Sequence, residues 1–160
     1  CKVLTSVTIP DSVESIGQSA FSSCTGLTSV RVLFRSKSIE AYAFQSCSKL
    51  ASVTIHNGVK NIGARAFYSC KALTNIEIPG SVRSIEAYAF QNCSALASVT
   101  IKNGVESIGK YAFNCSALTN IEIPGSVKYI DYYAFYQVPT ASMVKFDISN
   151  LQVFATYRNE

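Results

Sequence analysis

The sequence lacks tryptophan, has one methionine and one histidine among its 160 residues, and has a charged fraction of only 15%. Together with 48% hydrophobic residues, the low charge excludes intrinsic disorder, which requires low hydrophobicity and high net charge. No apolar run approaches the roughly 18–20 residues of a membrane span, so membrane insertion is excluded as well. The length by itself predicts one domain of ordinary size.

Few residues could support catalysis, metal binding or nucleic-acid binding. The single histidine, His56, has no cysteine partner at the spacing of a zinc site, and we expect it in solvent at a strand end. A catalytic nucleophile needs a neighbouring base that a third group orients, and the sequence does not predict such a set of residues. The glycines are isolated, so no phosphate-binding loop is predicted either. The net charge of +4 is scattered rather than clustered, which does not favour nucleic-acid binding. We therefore predict no catalytic residue, no metal site and no cofactor.

What the sequence does contain is a repeat of 23 residues. The dipeptide Ala-Phe recurs with spacings of 23, 23, 23, 23 and 22, ending at Phe21, Phe44, Phe67, Phe90, Phe113 and Phe135. Cysteine follows the same period, and a leucine stands three residues after each cysteine. One such unit cannot bury its own apolar face, whereas stacked units form a continuous core. The periodicity therefore predicts a repeat solenoid of about six units.

The pattern within a unit predicts β-structure. Apolar and polar residues alternate near the end of Leu4–Ile9, which indicates a strand. In several units a proline follows, where its missing N–H group ends strand pairing without disrupting the strand. The Val59–Gly63 segment predicts a second short strand or bend. We expect a right-handed coil over residues 1–138 with one firm parallel sheet, irregular structure opposite and little helix. The tail, 139–160, is expected to add a last strand and a cap.

A longer period of 46 residues lies over the first. The segment Ser38–Gln45 returns unchanged as Ser84–Gln91, and Pro-Gly-Ser-Val turns alternate with Asn-Gly-Val turns. Duplication of a two-unit block explains this alternation.

The full unit, Cys-x-x-Leu-x-x-Val-x-Ile-Pro-x-x-Val-x-x-Ile-Gly-x-x-Ala-Phe, resembles the BspA-like, or treponemal-type, leucine-rich repeat. The resemblance covers about residues 1–138 and implies a leucine-rich-repeat solenoid on a secreted or cell-surface protein. It implies adhesion without catalysis, through binding of extracellular-matrix proteins such as fibronectin and fibrinogen, or of other cells. It supplies no catalytic residue and no binding motif to transfer.

Two other functions stay open at this stage. The solenoid could be a structural spacer that projects another domain, or the recognition repeats of a larger enzyme. Residue 1 is a cysteine inside a unit, with no initiator methionine or signal peptide before it. We therefore expect the chain to be a segment of a longer protein.

The cysteines occupy one position of the repeat. Residues 23 apart in a stacked coil lie about 4.8 Å from each other, which is within the Cα separation of a disulfide. Equivalent side chains point in the same direction, however, which is poor geometry for such a bond. We predict structural buried free thiols at Cys24, Cys47, Cys70, Cys93 and Cys115. Cys1 is expected to be exposed.

Two further columns of equivalent residues are candidate binding surfaces. Tyrosine, which is enriched at binding hot spots, stands directly before Ala-Phe at Tyr42, Tyr88, Tyr111 and Tyr133. The alternative is that these rings only cover the flank of the core. Polar residues suited to hydrogen bonds with a protein or glycan face outward from the predicted sheet at Thr54, Glu77, Thr100 and Glu122. The alternative there is a strand face that only meets water.

Overall fold

Short parallel strands recur in every unit of the chain. The computed structural model describes residues 1–33, 36–139 and 143–147, and within these it contains no helix. Seven strands have four residues each: β1 (Ser6–Ile9), β3 (Ser29–Val32), β5 (Ser52–Ile55), β7 (Asn75–Ile78), β9 (Ser98–Ile101), β11 (Asn120–Ile123) and β13 (Met143–Phe146). Six strands have two residues each: β2 (Ser15–Ile16), β4 (Ser38–Ile39), β6 (Asn61–Ile62), β8 (Ser84–Ile85), β10 (Ser107–Ile108) and β12 (Tyr129–Ile130). The predicted repeat solenoid is confirmed.

The four-residue strands form two parallel sheets, and the two-residue strands form a third. The first two sheets have the orders β1-β3-β5 and β7-β9-β11-β13, so the expected single sheet is divided between β5 and β7. The third sheet runs without interruption from β2 to β12 through β4, β6, β8 and β10. In each pair a residue lies opposite its equivalent in the next unit, as Ser6 does opposite Ser29. Between β5 and β7, where the four-residue strands do not pair, the pairing of β6 with β8 therefore connects the two units.

The tail adds one further strand to the described structure. β13 pairs in parallel with β11 and places Lys145 opposite Glu122. The expected cap would involve residues 148–160, which lie outside the described residues.

The third side of each unit, which the sequence pattern left irregular, is a run of tight turns. In the second unit the amides of Tyr42 and Phe44 donate to carbonyls of the next unit, at 2.9 and 2.8 Å. The amides of Ala43, between them, and of Gln45, after them, donate back within the turn to the carbonyls of Glu40 and Tyr42, at 3.3 and 3.0 Å. Successive amides thus alternate between a hydrogen bond within the turn and one to the neighbouring unit. The hydrogen-bonding groups of the backbone are therefore paired without a helix or a strand.

The core consists of columns of identical side chains. The phenylalanine rings stack in parallel, with centroids 5.2–5.3 Å apart over the first four steps. The separation grows to 5.8 Å between Phe113 and Phe135, across the one step of 22 residues. The four inner rings, from Phe44 to Phe113, are fully buried, and burial of each such side chain stabilises the fold by about 1.5–3 kcal/mol.

The alternating turns of the 46-residue period form complementary pairs. The Ser126 hydroxyl donates to the Val105 carbonyl and accepts from the Gly104 amide, both at 2.8 Å. Ser81 makes the same two bonds to the preceding Asn-Gly turn, at 2.8 and 2.9 Å. Gly104 has a φ of +124°, and a Cβ atom there would overlap the carbonyl oxygen of Gly80. The two-unit period therefore has a structural role, because each serine binds the turn of the unit before it.

Candidate functional site

The tyrosines that the sequence analysis proposed as a binding surface occupy one position in the run of tight turns, directly before Ala-Phe. Of its occupants, Ser19, Tyr42, Arg65, Tyr88 and Tyr111 have φ angles between +54° and +63°. This left-handed conformation is unusual for bulky side chains, and here the turn imposes it. Equal backbone angles send the side chains out of the turn in the same direction, so consecutive side chains stack. We define the tyrosine–arginine column as Tyr42, Arg65, Tyr88, Tyr111 and Tyr133.

The second half of this column is a stack of aromatic rings. Tyr88 and Tyr111 have centroids 5.4 Å apart at 20°, and Tyr111 and Tyr133 have centroids 5.1 Å apart at 2°. Tyr136 meets both Tyr111 and Tyr133 edge-on, at 5.6 and 5.5 Å. Tyr132 lies 4.0 Å from Tyr133 between centroids. Three of the four predicted tyrosines therefore form one stack with two further rings around it.

Arg65 fills the gap between Tyr42 and the other tyrosines. Its guanidinium carbon lies 5.9 Å from the Tyr42 ring centroid and 5.0 Å from that of Tyr88. A third ring, Tyr68, lies at 5.8 Å. These distances fall within the range of cation–π attraction. Sequence reasoning by residue type missed Arg65, whereas its position directly before Ala-Phe could have revealed it.

Several rings at the end of the column are exposed, and a lysine lies over the column. Tyr129, Tyr132 and Tyr136 are 56%, 54% and 49% exposed, and the Lys110 ammonium lies 5.4 and 5.6 Å from the Tyr111 and Tyr133 centroids. The hydrogen bond with Tyr132 raises the pKa of Tyr133 to about 12.

The polar strand face lies on a different side of the coil. Thr54, Glu77, Thr100 and Glu122 are all exposed. Thr100 lies opposite Glu77 on one side and Glu122 on the other, whereas Thr54 lies on β5, across the division of the sheet. Glu77 pairs with Lys102 at 3.6 Å, a surface ion pair of little energetic weight. A shallow hollow of about 250 Å³ opens over β9, β11 and β13, lined in part by Ser98, Thr100, Asn120, Glu122 and Lys145.

The five inner cysteines form a regular column of buried, unpaired thiols. From Cys47 onward, each thiol donates to the carbonyl oxygen of the phenylalanine 26 residues before it, or 25 for Cys115, at 3.1–3.3 Å. Burial raises the pKa of Cys47 to about 11 and that of Cys115 to about 12, and it raises the pKa values of Cys70 and Cys93 further. The raised pKa values favour the protonated thiol at neutral pH, whereas the thiolate is the form that acts as a nucleophile or metal ligand.

Other chemistry is sparse in the described part of the chain. Residues 1–33, 36–139 and 143–147 contain no cluster of three side chains able to hold a metal ion. A search of the same ranges found no helix that could span a membrane. His56, expected in solvent, is half-buried with its Nε2 atom buried, and its backbone amide donates to the Val32 carbonyl of the preceding unit at 3.0 Å, which holds this strand end against the stack.

The chain is similar to several bacterial leucine-rich repeat proteins. A family model described as a BspA-type leucine-rich repeat region matches six copies, over residues 1–38 and 37–157. The structure of a leucine-rich cell surface protein from Faecalibacterium prausnitzii is 33% identical, has a TM-score of 0.76, and aligns over 90% of this chain and 39% of its own. The pneumococcal vaccine antigen PcpA is 25% identical, with a TM-score of 0.81 and coverages of 91% and 41%.

A third structure shares the fold alone. The Treponema pallidum leucine-rich repeat protein is 22% identical, with a TM-score of 0.72, over 87% of this chain and 79% of its own. No curated protein sequence matches the chain. The chain spans about two fifths of the length of the Faecalibacterium and pneumococcal proteins.

Proposed function

The chain belongs to the BspA-type leucine-rich repeat family, and from this membership we propose that it is a non-catalytic protein-interaction module of a cell-surface or secreted adhesin. Its ligand would be an extracellular-matrix protein or another cell-surface macromolecule. The Faecalibacterium relative, which is a cell surface protein, supports this location. The tyrosine–arginine column is the surface that we assign to binding.

One observation carries this assignment: the aromatic surface around the column extends well beyond what covering the core requires. Tyr132 and Tyr136 pack against column rings and yet remain about half exposed. The phenylalanine column is buried from Phe44 to Phe135, and the exposed halves of these two tyrosine rings add nothing to that burial. Tyrosine and arginine are enriched at binding hot spots, and tyrosine offers a large contact area at low entropic cost. The polar strand face at Thr54, Glu77, Thr100 and Glu122 would supply a second, weaker contact.

The proposal can be tested with immobilised fibronectin and fibrinogen and with intact cell surfaces. Purified residues 1–160 should bind at least one of them, and the triple variant Tyr88→Ser, Tyr111→Ser, Tyr133→Ser should lose at least tenfold in affinity. Serine is a suitable replacement because Ser19 occupies the same turn position with a φ of +58°. Circular dichroism should show that the triple variant keeps its fold.

A matched control tests the strand face. The double variant Thr54→Ala, Thr100→Ala removes two exposed hydroxyls and should change affinity by less than threefold. Failure of the parent chain to bind any matrix protein or cell surface would refute the adhesin proposal, and would favour the spacer instead.

A further inference from the structure

We propose that Arg65 is the anchor for a side-chain carboxylate of a protein ligand. This inference rests on the proposed function, and it names the chemistry that the tyrosine–arginine column would recognise. Arg65 interrupts an otherwise aromatic column, and its side chain is exposed although three tyrosine rings surround it.

The guanidinium is held in place but keeps its donors. The guanidinium carbon lies over the rings of Tyr42 and Tyr88, at 5.9 and 5.0 Å from their centroids, and within the described residues no hydrogen bond occupies its N–H donors. Within residues 1–33, 36–139 and 143–147 the guanidinium forms no ion pair, whereas Arg83 binds Glu106 at 2.8 Å. A planar fork of donors matches a carboxylate in two parallel hydrogen bonds.

The affinity for a carboxylate is higher when the Arg65 side chain is already held in place before the ligand binds. A free arginine side chain loses rotamer freedom when it binds a ligand, and this loss opposes association. The three rings around Arg65 restrict that freedom in the unbound chain. Arg65 also shares the turn conformation of its neighbours, with a φ of +56°, which fixes the direction in which the side chain leaves the backbone.

Nearby charges favour a single carboxylate over a polyanion. Glu40, Glu86 and Asp131 stand two residues before the column position in alternate units, whereas Gly63 occupies this place in the unit of Arg65. Glu40 and Glu86, in the two adjacent units, are exposed and accept hydrogen bonds from serine hydroxyls of their own strands. A densely sulfated glycan lying along the column would run past the carboxylates on both sides of Arg65, although Lys110 lies further along, over Tyr111 and Tyr133. A single acidic side chain needs only one cation and brings one negative charge to the site.

The test uses nuclear magnetic resonance on the ¹⁵N-labelled chain. The probes are the blocked peptide Gly-Ser-Glu-Ser-Gly, its glutamine counterpart and a heparin-derived hexasaccharide. The glutamate peptide should shift the Arg65 Nε–Hε signal and the backbone amides of the second to fourth units saturably. The glutamine peptide should leave both unchanged, and the hexasaccharide should bind this site more weakly than the glutamate peptide.

Two variants separate charge from geometry. Arg65→Lys keeps the positive charge but loses the planar pair of guanidinium donors, and should weaken glutamate-peptide binding at least fivefold. Arg65→Tyr completes the tyrosine column, so it should fold normally and lose the carboxylate response entirely. Arg83→Lys is the matched control, because Arg83 is exposed and already paired, and it should bind as the parent chain does.

Several results would overturn the inference. These are equal binding of the two peptides, unchanged binding by Arg65→Lys, or tighter binding of the hexasaccharide at this site. Binding of a matrix protein that is lost in the tyrosine triple variant but kept by Arg65→Tyr would refute the anchor and leave the proposed function intact. A glutamate-peptide response in a chain that binds no matrix protein or cell would support the anchor and refute the adhesin.

Discussion

Rising pH should destabilise this protein through its buried thiols. In the unfolded chain these thiols ionise near the ordinary pKa of 9.0, whereas burial keeps Cys70, Cys93 and Cys115 protonated to higher pH. Above pH 9 the unfolded state therefore binds fewer protons than the folded state, and the free energy of unfolding falls. The contribution is complete below pH 9 and is lost as the pH rises toward the folded pKa, which for Cys115 is about 12.

The expected magnitude follows from proton linkage. Each such thiol removes about 1.4 kcal/mol of stability per pH unit once the unfolded thiol is fully ionised, and about 1 kcal/mol between pH 9 and 10, where the unfolded thiol is still titrating. Cys70, Cys93 and Cys115 together therefore remove about 3 kcal/mol over that interval, to which Cys47 adds. That is a large share of a typical unfolding free energy of about 5–15 kcal/mol. Urea unfolding with reductant at pH 8, 9, 9.5 and 10, followed by circular dichroism, would measure the slope.

A variant isolates the thiols from other groups that titrate at high pH. Cys93→Ala should reduce the loss of stability between pH 9 and 10 by about 1 kcal/mol, whatever it does to stability at pH 8. Cys1→Ala is the control, since Cys1 is exposed, and it should leave the slope unchanged. Equal slopes for Cys93→Ala and the parent chain would show that these thiols ionise in the folded state, and would refute the reasoning.

Three further predictions concern the columns and turns. Phe67→Ala, which removes a fully buried ring stacked on both sides, should cost about 3–5 kcal/mol in urea unfolding. Phe21→Ala, at the half-buried end of the column, should cost clearly less, and equal losses would contradict the stacked core. Ser126→Ala should cost about 1–3 kcal/mol by leaving the Gly104 amide and Val105 carbonyl without the serine, and an unchanged melting temperature would count against the turn pairing. Thiol titration without reductant should find close to six free thiols in denaturant and one in the native chain, and two or none in denaturant would contradict the buried column.

The periodicity of the sequence predicts the columns of equivalent side chains well, but it predicts local departures from the repeat poorly. Residues one turn apart must superpose in a coil, so the spacing of Phe67 and its equivalents suffices to predict a buried stack. The division between β5 and β7 has no comparable signal, because the strand sequences on both sides fit the repeat. The left-handed conformation of Tyr88 is equally hidden, since no glycine or asparagine marks it. Arg65 escaped notice for another reason, because it shares a position with the tyrosines but not their residue type.

Footprinting by hydroxyl radicals would test most directly whether the tyrosine–arginine column is the ligand-binding surface. Side-chain oxidation would be measured by mass spectrometry for the chain alone and for the chain bound to whichever matrix protein it recognises. Binding at the column should protect Tyr88, Tyr111 and Tyr136 severalfold and leave the oxidation of Pro10, at the first turn, unchanged. Bound chain whose tyrosines oxidise as fast as in the free chain would contradict the assignment.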